Sequence, residues 1–245
     1  MKKRLFGTLA LIGAIAVPMT ASAYVLGPTT PGKWGSAVMG TGATVTWSYM
    51  NSGVSCTAEG AGCLISSFAS FMPAGFGAQV QNAFDAWSAV ANLTFVFVAA
   101  DNGVAFDAAG TNADIRIGGH AFDGAGNVLA HGFYPPTNGE SAAGDIHFDT
   151  AESWDLNQAG AGIDLFTVMA HELGHALGLD HTSVSNSLMN ALYSEAFVGL
   201  QSDDVAGMQF IYGAPVSTNV PEPATLALVG LALVGMSLRR RSAAR

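Results

Sequence analysis

Apolar and polar residues alternate from Ala43 to Tyr49, with Val45, Trp47 and Tyr49 opposite Thr44, Thr46 and Ser48, which predicts a strand with one buried face. From Gln79 to Val90 the period becomes helical: Val80, Ala83, Phe84, Trp87 and Val90 share one side, suited to packing on a sheet. Leu93 to Ala99 reads as a β-rich run, and Ala113 to Ile117 as a further strand with Ile115 and Ile117 on one face. Ser202 to Tyr212 predicts a last helix, with Ser202 as N-cap, Asp203 and Asp204 favourable in its first turn, and Gly213 at its end. Tyr24 to Gly42, rich in Gly, Pro and Thr, is an extended lead-in, and Asn51 to Gly62 is a loop. Strand, helix, strand, strand is the opening of a mixed α/β arrangement, without internal repeats.

The apolar runs at the two ends follow neither period. Met1 to Ala23 has a basic start (Lys2, Lys3, Arg4), an apolar run from Leu5 to Val17, and Ala21-Ser22-Ala23 before Tyr24, the layout of a secretory signal peptide. Residues 216–245 hold Val220-Pro221-Glu222-Pro223, an apolar run from Ala224 to Leu238, and Arg239-Arg240-Arg241. That run is short for a transmembrane helix, which needs about 17–25 residues, but its basic flank suits a membrane stop. The tail resembles a PEP-CTERM sorting signal. The resemblance implies export to the cell envelope or exterior of a Gram-negative bacterium, processing by an exosortase-like protease, and transient membrane anchoring by the tail. Residues 24–215 form the domain in between, with ample length for a core.

Removing the ends changes the charge. Of eighteen acidic residues only Glu222 lies in the tail, and of nine basic ones only Lys33 and Arg116 lie in the middle; seventeen acids against two bases leave a net charge of −15. Such a body does not bind nucleic acid through charge. Cys56 and Cys63, close together in an exported chain, predict a disulfide closing a small loop.

The densest chemistry lies in His171-Glu172-Leu173-Gly174-His175-Ala176-Leu177-Gly178-Leu179-Asp180-His181. Histidines four apart on a helix point the same way, so both imidazoles reach one ion. Gly178 can take positive φ and turn the chain back so that His181 becomes a third ligand. Three nitrogens with a position left for water describe a catalytic zinc. Glu172, about 100° around the helix from His171, falls beside that open position, as suits a general base. The pattern resembles the metzincin clan of zinc endopeptidases, HExxHxxGxxH, and Met189 in Ser187-Leu188-Met189-Asn190 stands where the methionine turn of that clan falls.

A second histidine-rich region runs from His120-Ala121-Phe122-Asp123-Gly124-Ala125-Gly126-Asn127-Val128-Leu129-Ala130-His131 to Asp145-Ile146-His147-Phe148-Asp149-Thr150-Ala151-Glu152. Histidines beside strands, interleaved with carboxylates and a glycine-rich turn, point to further metal binding. Here the resemblance narrows to the matrixins, the matrix metalloproteinase family, and it runs from about Lys33 to Gly213, including Ala113-Asp114-Ile115-Arg116-Ile117, Ala86-Trp87-Ser88, Leu93-Thr94-Phe95 and Gln209-Phe210-Ile211-Tyr212-Gly213. It implies an α+β metzincin fold: a mixed, twisted five-stranded sheet with about three helices, and a zinc cleft between a larger N-terminal and a smaller C-terminal subdomain. It implies a structural zinc on His131 and His147. It also implies a calcium held by Asp123, Asp149 and Glu152 with the carbonyls of Gly124, Gly126 and Val128, an all-oxygen set that suits calcium. The sequence departs from the family at Arg116, which stands where matrixins carry a histidine of a His-x-Asp pair. His120 is the candidate third ligand of the structural zinc, and no aspartate partner accompanies it. Neither cysteine sits in the context by which animal members hold a propeptide over the zinc.

The resemblance thus implies a secreted endopeptidase acting on protein or peptide substrates through zinc-activated water, with Glu172 as general base and acid. The substrate would lie along an edge strand from about Asn127 to Tyr134, and Tyr193 or Leu200 would line the neighbouring pocket. The alternative is a catalytically silent, metal-stabilised protein of the extracellular matrix or a biofilm surface. Glu172 counts against it, because a structural site needs no base.

Overall fold

The alternating stretch forms a strand with the bounds its pattern predicts, Ala43–Tyr49, an interior strand of the sheet that carries the rest. The computed structural model describes residues 24–136, 142–158 and 160–216. The expected leader and sorting tail lie outside the described residues. In chain order these hold β1 (Val25–Leu26), β2 (Ala43–Tyr49), a 3-10 turn at Phe68–Ser70, α1 (Phe76–Val90), β3 (Leu93–Phe97), β4 (Ile115–His120), β5 (Ala130–Gly132), β6 (Ile146–Asp149), β7 (Trp154–Asp155), β8 (Ile163–Asp164), α2 (Leu165–Ala176), β9 (Leu179–Asp180) and α3 (Ser202–Tyr212). One five-stranded sheet has the order β3-β2-β4-β6-β5, parallel except for β5, which runs antiparallel along β6 at one edge. Two short pairs complete it: β1 antiparallel to β9, and β7 parallel to β8. This is the mixed α+β arrangement expected. Among the described residues no helix is long and apolar enough to cross a membrane.

β3 ends at Phe97 and β4 at His120, not at Ala99 and Ile117 as expected, and three further differences have local reasons. The Asp114 carboxylate accepts bonds from the Thr46 N–H (2.8 Å) and hydroxyl (2.7 Å), so a side chain stands in for the ladder and β4 starts only at Ile115. Helix α1 begins at Phe76 behind Gly75, whose φ of 94° turns the chain into it. Gln201, not Ser202, caps α3, because Gln201 and Asp204 form a reciprocal capping box.

Register decides which side chains share a face. Trp47 pairs with Ile115, Tyr49 with Ile117 and Ile117 with Ile146, which puts these residues and Phe148 on the face covered by α1 and α2. Phe84 stacks on Trp47 at 4.3 Å between ring centroids, and the Trp87 indole donates to the Ala170 carbonyl at 2.9 Å, tying the two helices together. Each such buried aromatic contributes roughly 1.5–3 kcal/mol through the area it removes from water. On the opposite face lie Arg116, His120, His131, His147 and Asp149, against a smaller apolar cluster that includes Met50, Cys56, Ile65 and Phe106.

Both cations of the domain are buried. Lys33 donates from Nζ to the carbonyls of Trp34 (3.2 Å), Ser36 (2.5 Å) and Thr41 (3.1 Å) and lies 5.0 Å from the centre of the Tyr212 ring. Arg116, fully buried, pairs with Asp145 at 2.9 Å and Asp101 at 3.3 Å and donates to the Val104 carbonyl at 2.8 Å. Arg116 is thus an internal cross-link and takes no part in a metal site. Replacing it by alanine would leave Asp145 and Asp101 buried without a counter-charge, at an expected cost of about 3–5 kcal/mol. Urea unfolding of Arg116→Ala measures this; a loss below about 1 kcal/mol would show that the pairs are not structural.

Candidate active site

Helix α2 starts where Asp164 caps it, accepting from the Thr167 N–H at 2.8 Å and hydroxyl at 2.6 Å. Its far end stops because Gly178 takes φ 111°, and a Cβ there would lie 2.2 Å from the Gly32 carbonyl oxygen. The chain therefore reverses and brings His181 back under the helix. The three Nε2 atoms of His171, His175 and His181 are mutually 3.1 Å apart. Ligand nitrogens about 2.0–2.1 Å from a tetrahedral zinc stand roughly 3.3–3.4 Å from one another, so the triangle fits that ion. The outer nitrogens fix the tautomers: His171 Nδ1 bonds the Leu188 carbonyl at 2.7 Å and His175 Nδ1 the Leu179 carbonyl at 2.8 Å, which leaves Nε2 as the lone-pair atom. Burial pushes His171 down to about 4 and His175 down to about 3, so both rings stay neutral and ready to ligate.

Glu172 is buried beside this triangle, with Oε2 free of any hydrogen-bond partner. Burial raises its pKa to about 8, opposed by a bond from the Gly132 N–H. Gly132 belongs to edge strand β5, and a Cβ there would sit 2.6 Å from the Glu172 carbonyl oxygen, so only glycine lets strand and helix approach this closely. A cavity of about 300 Å³ opens alongside, lined by Ala130, Val168, Glu172, His181, Leu188, Tyr193 and Phe197 among others. Tyr193 lines it as expected; Leu200 does not.

The turn at Met189 is held from α3. The buried Asp204 carboxylate accepts from the Ser187 hydroxyl and from the N–H groups of Leu188 (2.8 Å), Met189 (3.1 Å) and Gln201 (2.7 Å). Since the Leu188 carbonyl fixes His171, the chain of restraint runs from Asp204 through the turn to the first imidazole. Met189 is buried in the same core as Leu173 and Trp87.

On the other face of the sheet, His131 pairs in register with His147, and His120 lies diagonal to it, two residues beyond Gly118, the partner of His147. All three surround Glu59, which comes from the Cys56–Cys63 loop. His147 Nδ1 is 2.7 Å from one carboxylate oxygen; His120 Nε2 bonds the other; His131 Nε2 lies 3.3 Å from that second oxygen without hydrogen-bond alignment. Burial raises the Glu59 carboxyl, but the adjacent imidazoles of His120, His131 and His147 overcome this and hold it well below the usual range. Burial takes His147 down to about 4 against the pull of Glu59, whereas for His120 the carboxylate outweighs burial and raises it. Four ligand atoms converge within 4.8 Å, so the set lacking a carboxylate in sequence has one in space.

The glycine-rich turn takes positive φ at Gly124 (86°), Gly126 (85°) and Asn127 (66°). Glu152 accepts from the Gly126 N–H at 2.5 Å; Asp149 accepts from the Ala151 N–H at 2.8 Å, and its other oxygen is buried without a partner. Among the described residues, Asp123, Asp149 and Glu152 are not drawn to one point as the histidines are. The expected disulfide joins Cys56 and Cys63. Glu59 and Gly132 carried no signal in the sequence beyond the first lying between two cysteines. Asp204 was visible only as a helix-start acid.

The model of the matrixin peptidases matches residues 66–213, and that of the PEP-CTERM protein-sorting motif matches residues 219–241. Karilysin of Tannerella forsythia is 40% identical over 150 residues, 58% of this chain and 29% of that protein. Human stromelysin-3 is 41% identical over 143 residues, 57% and 28% of the two chains, and the Xenopus laevis stromelysin-3 is 50% identical over 95 residues, 38% and 19%. The matches therefore span less than a third of these relatives' own lengths.

Two outcomes follow from the histidine geometry. Asp204→Asn removes one accepting oxygen from the turn and should weaken zinc binding about 10–100-fold in chelator competition, with the helical circular dichroism retained. Unchanged affinity would sever the proposed link to His171. In metal-free protein, unfolded imidazoles bind protons below about 6.5, but folded His171 and His175 do so only near 4 and 3. The unfolded state thus gains protons first, and the two rings cost stability as pH falls from about 6.5 towards 4. The melting temperature of chelator-treated protein should drop over that window, and less so in His175→Gln; equal slopes would refute the assignment.

Proposed function

The chain belongs to the matrixin family, and from that premise we propose that it is an exported zinc-dependent endopeptidase, with His171, His175 and His181 as the zinc ligands and Glu172 as general base and acid. The observation that carries this is the Nε2 triangle with a buried carboxylate beside it, one oxygen of which has no partner, in a cleft bordered by an edge strand. Zinc would supply a Lewis acid for the scissile carbonyl there. The remaining work falls to the chain. Glu172, held by the Gly132 N–H, takes a proton from the attacking water and returns it to the leaving amine nitrogen. Its raised pKa keeps the carboxyl basic enough to accept that proton, and a neighbouring dication moves it back towards the operating range. Among the described residues strand β5 has no strand on its outer edge, along which an extended peptide can lie. The wall of Val168, Leu188 and Phe197 suits an apolar substrate side chain.

A second zinc at the His120, His131 and His147 cluster and a calcium at the turn of Asp123, Gly124, Gly126 and Val128 with Asp149 and Glu152 belong to the same reading. The unpartnered oxygen of Asp149 favours the calcium. The sorting-motif match supports export to the cell envelope or exterior and processing of the tail by an exosortase-like protease. A silent surface protein would have no use for a buried base.

Glu172→Gln keeps the shape of the side chain and removes its basicity. It should retain zinc and lower kcat/KM on casein or a fluorogenic peptide by at least about 10²–10⁴-fold. Hydrolysis at the parental rate would overturn the mechanism.

A further inference from the structure

We propose that Glu59 completes the second metal centre as its fourth ligand, and that the Cys56–Cys63 disulfide is what keeps it in place. This rests on the reading of the three histidines as a metal site and adds which residue closes it and how.

The bonding around Glu59 is unbalanced. His120 and His131 both address the same carboxylate oxygen, and the buried Nε2 of His131 has no hydrogen bond, although it lies 3.3 Å from that oxygen. A shared cation, taking one ligand atom from each group, gives the His131 nitrogen a partner that hydrogen bonding within the cluster does not; the buried Nε2 of His147 also lacks a hydrogen bond. Three imidazole nitrogens and one carboxylate oxygen within 4.8 Å of one another make a full tetrahedral set. A closed set of this kind, with no position for water, suits a structural zinc-type ion rather than a catalytic one. An open hollow of about 740 Å³, lined in part by Glu59, Leu64, His120 and His131, gives the ion a way in.

Glu59 is the only member of the set that does not stand on the sheet. It sits on a small ring: its N–H donates to the Cys56 carbonyl at 3.0 Å, the Cys63 N–H donates to the Gly60 carbonyl at 2.9 Å, and the Cys56 N–H donates to the Cys63 carbonyl at 3.1 Å. The disulfide closes this ring across a separation of seven residues, and both sulfurs lie within 4.8 Å of a ring nitrogen of His120. A ligand on a covalently closed ring has little freedom left to lose when it binds, so opening the ring should weaken the site even though no ligand is removed.

The test is zinc stoichiometry and affinity of the full exported chain, by elemental analysis and competition with a zinc-binding dye, with circular dichroism followed in parallel. The parent should hold two zinc ions. Glu59→Gln should keep one tight ion and bind the second at least about 100-fold more weakly, and the double variant Cys56→Ser/Cys63→Ser should weaken the second about 10–100-fold. If Glu59→Gln does not fold, Glu59→Asp is measured against the same expectation. Two ions at parental affinity in the Glu59 variant would overturn the ligand assignment, and parental affinity in the double-serine variant would overturn the role of the disulfide. One ion in the parent and none in His181→Ala would instead remove the second centre itself, and the proposal with it.

Discussion

Three imidazole lone pairs facing one another at 3.1 Å repel unless a cation lies among them, and much of the C-terminal half is organised to hold them there. The backbone carbonyls of Leu188 and Leu179 grip the outer nitrogens, so neither ring can turn away. Behind one carbonyl stands the Met189 turn, and behind that turn the buried carboxylate of Asp204 on a helix remote in sequence. Burial of these rings serves the same end, because it disfavours the protonated state that would expel a metal.

Strand β5, three residues long, couples the two sides of the sheet. Ala130 borders the cleft, His131 turns to the opposite face beside His147 and Glu59, and the Gly132 N–H reaches the Glu172 carboxylate. A displacement of this strand along its partner would move the Glu172 hydrogen bond and the second histidine cluster together. Its antiparallel pairing with β6, alone in an otherwise parallel sheet, fixes that alignment.

Local periodicity revealed the elements whose burial is local. The alternation at Ala43–Tyr49 and the helical spacing up to Val90 survive in the fold because each faces a single apolar layer. The His171–His181 spacing was legible for the same reason, since one helix and one turn determine it. Arg116 and Glu59 were not legible, because each acts through partners far along the chain. Arg116 looked like a defect in a ligand set, yet its charge is satisfied by Asp101 and Asp145 inside the molecule. Glu59 lies 61 residues from His120 and 88 from His147, so no spacing rule connects it to them. The carboxylates expected around the glycine-rich turn were read by resemblance, and their side chains meet less closely than the histidines do.

The burial of Lys33 and Arg116 reaches beyond packing. They are the only lysine and arginine between residues 24 and 216, and both side chains are sealed inside. A folded domain of this kind presents no basic side chain at which a trypsin-like enzyme could cut. The packing that satisfies these two cations thereby also shields the folded domain from a whole specificity class of proteases.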